Sequence, residues 1–127
     1  MNQEPPKTLC IPIKVISEAN TRDHWRTKHR RKKKQRDAIV CWWWKEDVNV
    51  KLPIHVKLTR ISPRRLDSDN LVSAFKHTRD VIADLITPGL APGRADDLPG
   101  LTFSYEQRKG GSKKYEIEIE LSKKGLT

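Results

Sequence analysis

Residues 66–85 read LDSDNLVSAFKHTRDVIADL, and this stretch combines a helical apolar pattern with clustered carboxylates. The pattern predicts one continuous amphipathic helix that starts at Asp69 as its N-cap and ends before the TPG sequence at residues 87–89. From Asn70 onward the residues expected on its inner face are Leu71, Ala74, Phe75, Thr78, Ile82, Leu85 and Ile86. The outer face of this helix is therefore a candidate functional surface.

The rest of the chain places strands and a second helix around this one. Alternating apolar residues predict strands at 9–15, 54–58, 101–105 and 115–121, and Pro12 indicates that the first lies near a sheet edge. The KGGSK sequence at 109–113 predicts a hairpin turn between the last two strands. A first helix is expected in the basic region after residue 20, capped by Asn20 or Thr21. The predicted order is β-α-β-α-β-β, a small α+β domain over residues 1–127 with helices packed on a mixed sheet and residues 1–8 as a flexible tail.

Composition indicates the class of partner. The formal net charge of the 127 residues is +10 and the isoelectric point is about 9.9. This favours nucleic acid first and an anionic membrane surface second. We expect no membrane span, because no apolar run reaches the roughly 18 residues that one needs, and the N-terminal residues lack the apolar core of a signal peptide. Cys10 and Cys41 are isolated, which predicts neither a disulfide framework nor a zinc site.

Positive charge is concentrated in RTKHRRKKKQR, residues 26–36, which holds eight lysines and arginines and no acid. Such a run neutralises phosphates without reading base sequence, although a solvated basic helix face or a localisation-like tract has the same composition. Three more arginines precede the carboxylates. The candidate DNA contacts are Arg26, Lys28, Arg30, Arg31, Lys32, Lys33, Lys34, Arg36, Arg60, Arg64 and Arg65. Of the adjacent tryptophans at 42–44, at least one is expected in the core and another at a subunit contact.

Simple backbone geometry predicts that several of the carboxylates point to the same side of the chain. Asp67 and Asp69 point the same way if they leave a strand in an extended conformation. At 100° per residue, Asp69, Ser73, Lys76 and Asp80 fall in one stripe on the outer helix face. The plain alternative is a solvated helix face with an Asp N-cap and a Lys76–Asp80 surface pair.

A second acidic pair, Asp96–Asp97, stands in a loop that could return to the same end of the sheet. Clustered like charges are easier to explain when a cation neutralises them, and carboxylate oxygens select Mg²⁺ or Mn²⁺ over zinc. A calcium-binding EF-hand loop starting at Asp67 is excluded, because Val72 and Thr78 stand where that loop needs Gly and Glu. The four histidines, His24, His29, His55 and His77, form no recognisable zinc or nuclease motif, and each is expected to be an ordinary surface histidine or a phosphate contact.

The sequence DSDNLVSAFKHTRD at 67–80, followed by the acidic pair at 96–97, resembles the RusA family of Holliday-junction resolvases, especially its longer phage and prophage members. The resemblance extends to RDHWRTKHRRKKKQR at 22–36 and YEQRKGG at 105–111. It implies a homodimer in the cytoplasm of a bacterial cell or a phage-infected host. Such a dimer would bind four-way DNA junctions and cut two strands symmetrically with Mg²⁺, leaving 5′-phosphate and 3′-hydroxyl ends.

The resemblance also implies roles for individual residues. Asp67, Asp69 and Asp97 match the metal-binding catalytic carboxylates, while Asn70 and Asp96 match the Asn of the motif and the first acid of the pair. The family's lysine corresponds to Ser73, and Lys76 lies three residues further along the same helix face, so we expect Lys76 to take its catalytic role. Asp80 is expected to support the site after the same shift.

Three other functions remain open from the sequence. A DNA-binding or regulatory protein without catalysis would ignore Mg²⁺. A nuclease for flaps or other branched DNA would share all the residues above, because structure-selective proteins read shape through the backbone. An RNA-binding protein would use aromatic side chains on unpaired bases, and few aromatic residues lie outside 25–44.

Overall fold

The computed structural model describes residues 7–17, 21–88 and 98–123, and all structural statements concern these residues. In chain order they form β1 (Lys7–Ile11), α1 (Trp25–Lys45), β2 (Ile54–Ser62), α2 (Ser68–Ala74), α3 (Lys76–Ile86), β3 (Leu101–Lys109) and β4 (Glu116–Lys123). The predicted α+β class and β-α-β-α-β-β order are confirmed, with α2 and α3 together in the place of the second helix. None of the described helices is long and apolar enough to cross a bilayer.

The four strands of the described chain form one mixed sheet in the order β1-β4-β2-β3. β4 pairs antiparallel with both β1 and β2, and β3 pairs parallel with β2. β1 is an edge strand, as Pro12 indicated, and it ends at Ile11 because proline has no backbone N–H to donate to a ladder. Lys7 and Thr8, which the tail prediction included, belong to β1.

The predicted hairpin between β3 and β4 is wrong, because β2 lies between them. The linker at 110–115 therefore passes over the end of β2 and spans two strand spacings, about 9.6 Å. Gly110 N–H donates to the Ser62 carbonyl at 2.9 Å. A Cβ at Gly110 would lie 3.0 Å from Ile61 Cγ2, so a residue without a side chain suits this close crossing.

The helices pack on one face of the sheet. The apolar residues of each strand share that face through strand alternation, and they form a single core cluster with the buried residues of the helices. The strand members are Leu9, Ile11, Ile54, Val56, Leu58, Leu101, Ile117, Ile119 and Leu121, and the helix members are Ile39, Trp43, Leu71, Ala74, Val81, Ile82 and Ala83. Trp43 is 5% exposed, which confirms that one of the three tryptophans is in the core.

The predicted single second helix is divided at Phe75, which is both the C-cap of α2 and the N-cap of α3. Phe75 is fully buried and its ring stacks on Tyr105 of β3, with ring centroids 6.2 Å apart. The apolar spacing continues across the break, so periodicity alone does not reveal it. The division sets α2 apart as a short helix with its own N-terminus.

Both predicted helix caps are wrong. Asp67, not Asp69, caps α2, and its Oδ1 accepts the Asn70 N–H at 2.9 Å. α1 starts later than expected, with His24 as its N-cap and the His24 ring nitrogen Nδ1 accepting the Arg26 N–H. Thr21 therefore lies ahead of the cap, and Asn20 is outside the described residues.

Candidate nucleic-acid and metal site

The first half of α1 carries the basic run into solvent. Most of its residues from Trp25 to Lys34 are exposed, whereas Ile39 and Trp43 in the second half are buried. Arg31 pairs with Asp23 at 2.7 Å, Lys33 pairs with Asp37 at 3.2 Å, and Arg36 on α1 pairs with Asp84 on α3 at 3.0 Å. The predicted DNA contacts on this helix are therefore accessible, and the helix is tied to α3 at its middle.

The arginines ahead of the carboxylates divide into two kinds. Arg60 is 6% exposed, its Nε donates to the Val15 carbonyl at 3.3 Å, and its Nη1 donates to the Arg64 carbonyl at 2.8 Å. Burial lowers the pKa of Arg60 from its usual value. Arg64 and Arg65 are exposed. Arg60 thus fastens the chain after β2, and we leave it out of the proposed DNA contacts.

A side-chain clasp fixes the chain just before the carboxylates. The amide of Gln107 on β3 pairs with the backbone of Leu66, accepting its N–H at 3.0 Å and donating to its carbonyl at 2.7 Å. Asp67 and Asp69 follow as exposed residues at the start of α2. The expected extended arrangement is wrong, because Asp67 is the cap and Asp69 lies in the first helical turn.

The third predicted metal ligand lies outside the described residues, together with Asp96. Within 7–17, 21–88 and 98–123, no three His, Cys, Asp or Glu side chains come together as a metal site. Leu98, next to the acidic pair, accepts the Leu101 N–H at the start of β3, whereas Leu66 is held by Gln107. Leu101 and Gln107 are six residues apart on β3, which is about 20 Å of strand. The described neighbours of the two acidic groups therefore sit toward opposite ends of the parallel pair β2–β3.

A cleft of about 340 Å³ separates α1 from the start of α3. Three members of the predicted polar stripe contribute to it, and Asp69 does not. The lining residues are Ile16, Lys28, Lys32, Gln35, Ser73, Ala74, Lys76, His77 and Asp80. No ion pair joins Lys76 to Asp80 in the described part of the chain, so the simple surface pair of the plain alternative does not form.

Below the cleft the two helices meet through polar groups. His77 Nε2 lies 3.0 Å from the Lys32 carbonyl, and the Thr78 hydroxyl donates to Gln35 Oε1 at 2.6 Å. Burial is the main reason that the pKa of His77 lies below its usual value. His77, expected at the surface or against a phosphate, is half-buried between the two helices and lines the cleft. Its position beside Thr78, the one polar residue of the predicted inner face, is the sequence feature that could have indicated a helix contact.

Compared with models of known protein families and with curated proteins, the chain gives no match.

Proposed function

We propose that the protein is a Mg²⁺-dependent endonuclease that binds branched double-stranded DNA as a homodimer and nicks four-way junctions in paired positions. One observation carries this proposal. The exposed basic half of α1 packs beside the α2–α3 unit, whose first turn presents Asp67 and Asp69, on the same side of the sheet. Cations that attract a phosphate backbone and carboxylates suited to Mg²⁺ therefore belong to one surface.

The donor set at the start of α2 fits Mg²⁺. Asp67 uses Oδ1 for the Asn70 N–H, which leaves its second oxygen as an acceptor, and Asp69 is exposed. Neither carboxylate makes an ion pair within the described residues. Mg²⁺ is commonly held by one or two carboxylates together with substrate phosphates and water. When bound, Mg²⁺ would polarise the phosphate and lower the pKa of a water molecule.

The chain's own side chains have separate tasks in this proposal. The cations of α1 hold backbone phosphates without reading base identity. Asp67 and Asp69 hold the metal, with Asn70 and Asp80 in support, whereas Asp96 and Asp97, which the resemblance added to this set, are left out because their described neighbour Leu98 lies at the other end of β3. Lys76, which lines the cleft between α1 and α3, supplies positive charge for a backbone phosphate next to the one that is cleaved.

The test is a synthetic four-way junction labelled on each strand, incubated with wild type, Asp69→Asn and Asp47→Asn, with and without Mg²⁺. We expect symmetric nicks that require Mg²⁺, a loss of at least 100-fold in Asp69→Asn, and junction affinity within about threefold of wild type. Asp47→Asn is the matched control, because Asp47 is exposed beyond the end of α1 and Asn tolerates its positive φ of 50°. Wild-type nicking by Asp69→Asn would overturn the metal-site assignment.

A second candidate is a DNA-binding protein without catalysis. It is favoured by the capping bond of Asp67, which gives that carboxylate a structural task that needs no metal. This candidate expects tight junction binding that ignores Mg²⁺ and no nicking in Mg²⁺ or Mn²⁺. The same junction assay separates it from the nuclease, and replacing the junction with a flap separates the two kinds of nuclease.

A further inference from the structure

The cleft between α1 and α3 differs from the rest of the basic surface because its cations converge from two helices. Lys28 and Lys32 are one turn apart on α1 and line it from one side. Lys76, in the first turn of α3, lines it from the other.

The charge inside the cleft favours an anion. Its lining holds three lysines and a single carboxylate, Asp80. In the described part of the chain, neither Lys32 nor Lys76 pairs with a carboxylate. An anion that binds both ammonium groups at once offsets part of the free energy needed to remove them from water. The cleft can therefore accept a phosphate oxygen between Lys32 and Lys76.

Neutral donors complete the lining. The Ser17 hydroxyl donates to Ser73 Oγ at 3.0 Å, which occupies a lone pair of Ser73 and leaves its own O–H to donate into the cleft. His77 Nε2 lies 3.0 Å from the Lys32 carbonyl, an acceptor, so this nitrogen carries the proton and holds the backbone of Lys32 beside α3. Contacts from other parts of the chain therefore hold the Ser73 side chain and the backbone of Lys32 in place.

We propose that this cleft is a subsite for one backbone phosphate of DNA, bound by the ammonium groups of Lys32 and Lys76 and by the Ser73 hydroxyl. This inference rests on the proposed DNA substrate and specifies where one of its phosphates binds. The other cations of α1 attract the backbone wherever it lies, whereas the cleft fixes one phosphate relative to α2. Because Asp67 and Asp69 start α2, that phosphate sets which neighbouring phosphodiester reaches the carboxylates.

The first experiment measures phosphate binding without DNA or metal. Inorganic phosphate is titrated into ¹⁵N-labelled wild type, the cleft variant Lys32→Ala/Lys76→Ala and the control variant Lys51→Ala/Lys109→Ala. The control removes the same charge from exposed lysines outside the cleft. We expect saturable amide shifts at Ser73, Lys76 and His77 in wild type and control, and their loss in the cleft variant. Equal response of the two variants would overturn the subsite.

The second experiment measures junction affinity in the absence of Mg²⁺ for the same three proteins and for Lys32→Arg/Lys76→Arg, after thermal unfolding has shown that each is folded. We expect the cleft variant to lose at least tenfold more affinity than the control and the arginine variant to recover most of it. Loss of phosphate binding with DNA affinity equal to the control would overturn the assignment to DNA and indicate a site for free phosphate.

The experiments distinguish failure of the phosphate subsite from failure of the proposed nuclease activity. Nicking by wild type with no difference between cleft and control variants would overturn the subsite and leave the nuclease intact. A cleft-specific loss of DNA affinity in a protein that never nicks the junction would support the subsite and overturn the nuclease.

Discussion

The two faces of the sheet differ in both packing and charge. One face carries the apolar strand residues and is covered by the helices, of which α1 brings the basic run. The opposite face carries polar side chains and an excess of acid, with Glu106, Glu116, Glu118 and Glu120 against Lys57 and Arg108. The protein therefore has a basic helical side and a mildly acidic sheet side.

The charges on the sheet side largely satisfy one another. Lys57 lies between Glu106 at 3.3 Å and Glu120 at 3.8 Å on the two neighbouring strands, and Arg108 pairs with Glu118. On the helical side, several exposed cations, such as Lys32, Lys34 and Lys76, have no such partner in the described chain. If the protein binds a polyanion as proposed, the polyanion should approach the helical side of the molecule.

The largest effect should come from detaching the basic helix from the apolar face. Trp43 is buried on that face, whereas its neighbour Trp44 is 74% exposed. We expect Trp43→Ala to lower the free energy of unfolding by about 3–5 kcal/mol, through lost burial and a cavity. Trp44→Ala should change it by less than about 0.5 kcal/mol. Urea unfolding followed by circular dichroism measures both, and similar losses in the two variants would contradict this placement of α1.

The next largest effect is expected in junction affinity, which allows the loss of charge from the two faces of the molecule to be compared directly. Arg30→Gln/Lys34→Gln removes two charges from the helical side, and Lys57→Gln/Arg108→Gln removes two from the sheet side. At 0.15 M salt we expect the first pair to weaken junction binding by roughly ten- to thirtyfold and the second by less than about threefold. Fluorescence anisotropy without Mg²⁺ gives both values. A larger loss from the sheet-side pair would reverse the proposed orientation.

A smaller but more specific effect is expected in the salt dependence of the same variants. Each phosphate contact contributes about 0.9 to the slope of log affinity against log salt on duplex DNA. The helical-side pair should therefore lower the magnitude of the slope by about 2. The sheet-side pair should leave it unchanged, because Lys57 and Arg108 are already neutralised within the protein. An unchanged slope in the helical-side pair would show that Arg30 and Lys34 contact no phosphate.

The smallest effect concerns pH and the polar seam between α1 and α3. The pKa of His77 is lowered in the folded protein, mainly by burial, so the unfolded chain binds more protons once the pH falls below the ordinary value of 6.5. Stability from this group is complete above pH 6.5 and declines as the pH drops toward the folded-state value. We expect wild type to lose more Tm than His77→Gln between pH 7.5 and 5. Equal losses would show that His77 is not the group responsible.

Much of this fold follows from local pattern. Strict alternation at Ile117, Ile119 and Leu121 predicts a half-buried strand, and the spacing of Leu71, Phe75 and Ile82 predicts a helix against it. The exposure of the basic half of α1 follows from eight cations with no apolar stripe between them. These predictions succeed because each depends on residues within a few positions of one another.

The errors arise where distant residues decide the structure. A glycine-containing turn between two strands predicts a hairpin, but β4 pairs with β1 and β2 and not with β3, and this arrangement buries the apolar residues of β4 among those of its two neighbours. Phe75 interrupts the helix because its ring packs on Tyr105, thirty positions away. Arg60 is charged in sequence and buried by tertiary contacts, so no local pattern separates it from the exposed cations.

The clasp between Gln107 and Leu66 joins β3 to the chain ahead of α2 through one side-chain amide, which both accepts from and donates to the backbone of Leu66. It spans 41 positions of sequence and ends next to Asp67. Because one residue of β3 supplies both bonds, the position of the carboxylates depends on the sheet and not only on the helix that carries them. A change at Gln107 can therefore misplace the acidic turn while every acidic residue, and the core beneath it, stays intact.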